Sequence, residues 1–373
     1  MNEYLKHYRM KITALSPIHI GDGTLIGKKE YIQKTYRAPI IIPDLAKMFS
    51  DLQRVHKEKA FEEYMLNNYR DSLGKWLEGQ KIPDAKIQSW KRYELDSGDA
   101  FIQTKAGKGG TPKGILAFTK DAYGEPYIPG SSLKGMIRTA LLCYEVKQNP
   151  GKYSRQLRDI SDAAQRGGNR NSLLKRETDN LETEVFHTRH MTDKKQNAVN
   201  SCMAGLIVSD SKSISTKQLT LSQKIDYTED GKEHPLPILR EAVIPGTEIQ
   251  FELTIDEKIC PYSIQTILHA LEEFQQDCYY SFYKKFGRGD CRDGLVWLGG
   301  GTGFLSKTIL YSVYEDQKAV RITDQIFQNT LGKNYRVHHH DSDVRKNLSP
   351  HMCKCTRYCG KLYDMGLGKI EVI

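Results

Sequence analysis

Apolar and polar residues alternate along the opening segment, where Tyr8, Met10, Ile12 and Ala14 are separated by polar or charged neighbours. A period of two marks a strand with one buried face, so Tyr8 to Ile20 is expected to begin as a half-buried strand. Pro17 interrupts it, and Gly21-Asp22-Gly23 is expected to close it with a turn. A second short strand is expected at Ala38 to Ile42. Asp44 then stands where an N-cap belongs, and Leu45, Met48, Phe49 and Leu52 begin a helical stripe that continues with breaks to about Gln80. Asp96 to Gly114, rich in Gly, Lys and Thr, reads as an exposed loop.

A strand around Ile115 to Phe118 and the segment Tyr127-Ile128-Pro129 lead into Gly130-Ser131-Ser132. There the period changes, with Leu133, Met136, Ile137 and Ala140 at helical spacing. The basic, apolar-poor stretch after Gln148 is expected to be flexible to about Asn200. Strands are expected again at Gly205 to Ser209, Gln218 to Tyr227 and Glu248 to Ile255, with a hairpin signal at Asp230-Gly231. Ile264, Ile267, Leu268, Leu271, Phe274 and Cys278 predict a long amphipathic helix. The tail from Met352 to Ile373 reads as a hairpin turning at Gly360. Strands and helices are mixed without strict βα alternation, which favours an α+β architecture of antiparallel sheets with helices on one face.

With 373 residues, 39% of them hydrophobic, the chain can bury one large core or two modest ones. At 27% charged residues it is expected to be neither a disordered tail nor a membrane protein. The start, Met1-Asn2-Glu3-Tyr4, lacks a basic-then-apolar pattern, so a cytoplasmic protein with reduced cysteines is expected. A formal net charge of +9 favours a polyanionic partner. The excess is local: Lys147 to Arg176 carries eight basic and two acidic side chains, and Lys333 to Lys361 seven and two. Phosphate neutralisation needs such clusters, because screening removes charges farther off than about 8 Å; a solvated surface would carry them equally well.

Four groups of residues carry candidate chemistry. Pro129 to Arg138 combines a glycine turn with Ser131 and Ser132 as caps, a helix start whose free N–H groups suit a phosphate, and Lys134 and Arg138 one turn apart. Its bland reading is a capped helix with two solvated cations. Ser131 to Lys134 also satisfies S-x-x-K, but no K-T-G partner exists and Ser209-Asp210-Ser211 replaces S-D-N. Gly299-Gly300-Gly301-Thr302-Gly303, with Lys307 beyond, allows an anion nest, whereas Ser306 stands where a P-loop needs glycine. His19 is a possible base or a packed strand histidine. His351, Cys353, Cys355 and Cys359 are of zinc-ligand type but lack a C-x-x-C pair. No carboxylate set stands at an informative spacing, which counts against metal-dependent cleavage.

Several segments, in order, resemble one family. Ser16-Pro17-Ile18-His19-Ile20-Gly21-Asp22-Gly23 looks like the first-strand motif of RAMP proteins, the RNA binders of CRISPR systems. Tyr127 to Arg138, Val208-Ser209-Asp210-Ser211, Leu239 to Thr247, Leu298 to Phe304 and Met365-Gly366-Leu367-Gly368-Lys369-Ile370 follow as in that family. The match is to the Csm-type subunit of type III-A effectors at the 3′ end of the CRISPR RNA (crRNA). This resemblance implies ferredoxin-like, RRM-related domains and a thumb-like hairpin at about Leu219 to Arg240. It implies a non-catalytic role in assembly and guide maturation. The implied partners are crRNA, the neighbouring backbone RAMP subunit and other Csm subunits, with host nucleases for guide trimming and target RNA only indirectly. No cofactor and no membrane are expected. The backbone RAMP subunit's catalytic aspartate has no secure counterpart, because Asp22 lies too close to the first strand.

The expected division is an N-terminal RAMP domain over 1–256, with a helical insertion at about 44–110 and the basic segment at about 148–200, and a C-terminal RAMP-like region over 257–373. The expected RNA-binding residues are His19, Gly21, Gly23, Gly130, Ser131, Ser132, Lys134, Gly135, Arg138, Gly300, Gly301, Thr302, Gly303, Lys307, Gly366, Gly368 and Lys369. Gripping the sugar-phosphate backbone suits a guide whose sequence must vary. The competing readings are a metal-independent RNA-processing nuclease using His19 and a docking scaffold with little RNA contact.

Overall fold

The computed structural model describes residues 3–35, 38–68, 70–100 and 114–373. Two large sheets dominate it. The first has the order β10 (Leu295–Trp297), β13 (Leu367–Val372), β1 (Leu5–Ala14), β9 (Glu248–Asp256) and β6 (Leu206–Val208), every pair antiparallel. The alternation in β1 puts Met10, Ile12 and Ala14 into the core. The second sheet runs β12 (Lys361–Asp364), β11 (Met352–Tyr358), β7 (Leu219–Thr228), β8 (Glu233–Val243), β5 (Ile115–Phe118) and β2 (Gly21–Ile26), with β5–β8 parallel and the rest antiparallel. A small antiparallel pair of β3 (Ile40–Pro43) and β4 (Lys91–Leu95) completes the strands. Mixed helices and mainly antiparallel sheets make this the α+β fold expected.

Asp44 caps α1 (Leu45–Arg54), its carboxylate accepting from Lys47 N. With α2 (Glu58–Asn67), α3 (Leu73–Gly79) and α4 (Asp84–Ser89), α1 fills the span between β3 and β4. These helices share a satellite core of Met48, Leu52, Phe61, Trp76 and Trp90. Most of the loop expected at Asp96 to Gly114, residues 101–113, lies outside the described residues. In the main core, α5 (Gly130–Gln148) packs against α8 (Ile264–Ser281). The boundary expected at 256/257 follows β9 directly, and both large sheets take strands from either side of it.

Two local expectations need correction. Gly21 to Gly23 is not a turn: it starts β2, where Gly21 pairs with Phe118 and Leu25 with Leu116 across a bulge. The basic stretch 148–200, expected to be flexible, contains two regular helices, α6 (Ser154–Arg166) and α7 (Lys175–Phe186). Tyr153, Leu157, Ile160 and Ala164 form a sparse apolar stripe at helical spacing, and Leu181, Val185 and Phe186 bury beside it in the main core. Asn329, on α10 (Asp316–Leu331), closes the end of α6 by donating to Ala164 O at 3.3 Å. Between α8 and α10 lies the single turn α9 (Leu310–Val313); α11 (Asn334–Val337) and α12 (Asp343–Lys346) lead to β11.

Candidate nucleic-acid interface

After β10 the chain turns through Leu298 to Gly303 and is tied to two distant segments. Gly300 N donates to His19 O at 2.7 Å, Leu298 N to Gly366 O at 2.8 Å, and Gly366 N to Pro17 O at 2.9 Å. Two glycines are required for this closeness. Gly299 has φ +91°, and a Cβ there would lie 2.3 Å from His19 O. Gly366 has φ +91°, and a Cβ would lie 2.0 Å from Thr302 Cγ2. Residues 16–21, 298–303 and 365–368 therefore form one knitted surface.

One face of α5 closes a groove of about 390 Å3 against that surface. Gly21, Ser132, Gly135, Gly300, Thr302 and Lys307 meet there, although the sequence separates them by up to 286 positions (307 − 21). Gly301 and Gly303 turn to the opposite side of the loop, toward Arg240 and Lys354. Gly23 and Lys369 are exposed on strands, and Gly368 packs against Ile12 within the first sheet. Gly366 serves the loop itself.

The start of α5 differs from expectation. Ser131 and Ser132 lie inside its first turn and neither caps it. Gly130 N instead donates to the Asp210 carboxylate at 2.7 Å, and a Cβ at Gly130 would meet Val208 O at 2.3 Å. Lys134 and Arg138 do share a face, but it is not the groove face. Lys134 Nζ donates to Met203 O at 2.8 Å, and burial, then the nearby Arg138 cation, draw its pKa down. Arg138 pairs with Glu182 of α7 and lies over the Phe186 ring, 5.4 Å from its centroid. Both cations fasten α5 to its neighbours, which leaves Lys307 as the groove's cation among the described residues.

His19 lies buried behind the glycine loop, its Nδ1–H donating to Glu241 O at 2.6 Å. Burial holds its pKa down at about 4, the bond to Glu241 offsetting part of that and Arg240 adding to it. A neutral imidazole of such low basicity is a poor general base at neutral pH. Its folded pKa lies below the unfolded value of about 6.5, so the unfolded chain binds more protons in between. Its contribution to stability is thus intact above about pH 6.5 and falls away toward pH 4, by roughly 3 kcal/mol in all. His19→Gln should flatten that stretch of the stability–pH curve in urea titrations; an unaltered curve would contradict the burial account.

Sequence reasoning gave Glu241 no role of its own, yet its carboxylate is fully buried. It accepts from Tyr93 OH at 2.6 Å and Phe118 N at 2.7 Å, and pairs with Lys120. Its partners come from two other parts of the chain, around Tyr93 and around Phe118 to Lys120, so no local pattern could reveal it. The zinc candidates separate. His351 Nδ1 joins Asp343 at 2.5 Å, with His340 on the other carboxylate oxygen at 2.9 Å. Cys353 and Cys355 lie 3.8 Å apart beside Asp364, and Cys359 is exposed at the β11–β12 turn.

A family model described as the RAMP superfamily matches residues 11–306. The chain belongs to the RAMP superfamily. Within that superfamily it is similar to the CRISPR system Cms protein Csm5 of Mycobacterium tuberculosis, 27% identical over 402 aligned positions that cover 100% of this chain and 99% of the relative. The Csm5 of Streptococcus thermophilus is also 27% identical, covering 83% of this chain and 81% of its own. Among solved structures, a chain of a Csm–crRNA–target RNA ternary complex from a type III-A system superposes with TM-score 0.62 at 18% identity, over 98% of this chain and all of that one. The T. onnurineus Csm5 crystal structure gives 0.61 at 21%, over 96% and 99%. These two likenesses show a shared fold over nearly the whole chain. Among the described residues no helix is long and apolar enough to cross a membrane.

Proposed function

We propose that this RAMP protein is a non-catalytic crRNA-binding subunit of a type III-A Csm effector, seated at the 3′ end of the guide, where it supports assembly and guide maturation. One observation carries the reading: glycine-rich segments from distant parts of the chain converge, with Lys307, on one groove. Glycines that let a ligand approach closely, together with the Lys307 cation, suit a sugar-phosphate chain of any sequence. Full-length similarity to Csm5 proteins supports the assembly, and the low basicity of His19 supports a binding role over cleavage. Its partners would be crRNA and neighbouring Csm subunits, and the protein would work in the cytoplasm.

In an effector reconstituted with guide RNA, omission of this chain should let a 3′ exonuclease shorten the guide, and adding it back should protect the end. Lys307→Ala should weaken RNA affinity by about tenfold, the scale of one charge-assisted contact. Guides with identical 3′ ends in both assemblies would sink the capping role.

A further inference from the structure

Alternate residues of β7 face opposite ways. Leu221 and Ile225 enter the main core, so Ser222, Lys224 and Asp226 share the other face. Register places Arg240 of β8 opposite Ser222, and Lys354 of β11 opposite Asp226. The glycine loop lies over this face: a Cβ at Gly301 would be 3.6 Å from Arg240 Nη1, and one at Gly303 3.4 Å from Lys354 Cγ.

The face gathers three cations around one carboxylate. Asp226 takes Lys354 at 2.8 Å and Lys224 at 3.6 Å. Among the described residues Arg240 Nη1 is buried without a hydrogen-bond partner, as are Ser222 Oγ and Thr356 Oγ1, with Thr356 two positions along β11 from Lys354. Ser222 is 1% exposed. Buried polar atoms in native proteins are nearly always satisfied, so orphaned donors beside surplus positive charge point to an absent acceptor with several oxygens. Burial draws the pKa of both Lys224 and Arg240 down, and Lys354 repels Lys224 further, as expected of cations assembled without enough anion. The side chains of Lys224 and Lys354 remain 20% and 22% exposed, so the site opens to solvent.

We propose that Lys224, Arg240, Lys354 and Ser222 form a seat for one phosphodiester of RNA, a second contact on the far side of the glycine loop from the groove. This inference rests on the RNA-binding reading above and adds residues outside the expected RNA-binding set, three of them on the hairpin that the resemblance marked as thumb-like. Non-bridging phosphate oxygens would accept from Arg240 and Ser222 while the lysines balance the charge.

The test uses the full chain and a labelled single-stranded RNA of mixed sequence, titrated by fluorescence anisotropy across a salt series. Lys224→Gln with Lys354→Gln should lower affinity by about tenfold and reduce the slope of log K against log salt by about 0.7, the release expected for one phosphate. Without RNA, the thermal midpoint should fall, because buried Asp226 loses both cationic partners, so binding is measured at a temperature where the double variant stays folded. Unchanged affinity and slope with a lowered midpoint would make the cations a structural network and overturn the proposal. Lys307→Gln, run in parallel, separates the two readings. If it weakens binding while the double variant does not, the seat alone fails. If neither variant changes binding, the RNA-binding reading fails and takes the seat with it.

Discussion

Gly299→Ala is expected to destabilise the protein by about 2–5 kcal/mol and to open the glycine loop. Two costs add: about 1–2 kcal/mol for a left-handed non-glycine residue, and about 1–3 kcal/mol for forcing a methyl into packed atoms. The second applies because the new Cβ would lie 2.3 Å from the His19 carbonyl, the same oxygen that accepts from Gly300 N at 2.7 Å. Gly246 is the control: its φ is +90°, but nothing lies within 4 Å of a Cβ there. Gly246→Ala should therefore lose only the conformational part. Urea denaturation of the two variants checks this; equal losses would mean that the loop's contact with His19 is not tight. RNA affinity should fall only for Gly299→Ala, since only that loop lines the groove.

Glu241→Ala should cost about 3–5 kcal/mol, the penalty for breaking a buried ion pair from one side. The substitution strands Lys120, whose side chain is 13% exposed, together with Tyr93 OH and Phe118 N–H. Adding Lys120→Met should recover part of the loss, because the stranded charge is then gone. No recovery in the double variant would assign the cost to Tyr93 and Phe118 instead. Alanine keeps the main-chain carbonyl that accepts from His19, so RNA binding by the folded variant should change less than its stability.

These networks show where reading along the chain succeeds and where it stops. The strand through Met10, Ile12 and Ala14, the Asp44 cap and the helix through Leu133 and Ile137 were all legible, since each depends on residues a few positions apart. The order of glycine segments pointed correctly to the RAMP superfamily. By contrast, α6 and α7 were hidden because charged residues outnumber the sparse stripe of Tyr153, Leu157, Ile160 and Ala164. Lys134 and Arg138 were correctly placed on one face of α5, but spacing along a helix cannot say what that face meets. It meets Met203 and Glu182, neither of which the sequence singled out.

The sequence by itself thus determined the first strand, the Asp44-capped helix, the helix through Leu133 and Ile137, and the superfamily. Only the tertiary structure decided that Gly21, Ser132, Gly300 and Lys307 share a groove, that Glu241 is buried, and that Arg240 joins Lys224 and Lys354 on one sheet face. The physical reason is range. Periodicity and turn chemistry are set by torsions and neighbours within a few residues. The partner of a side chain is set by sheet pairing, and here β1 pairs with β13 and β7 with β11, strands far apart along the chain.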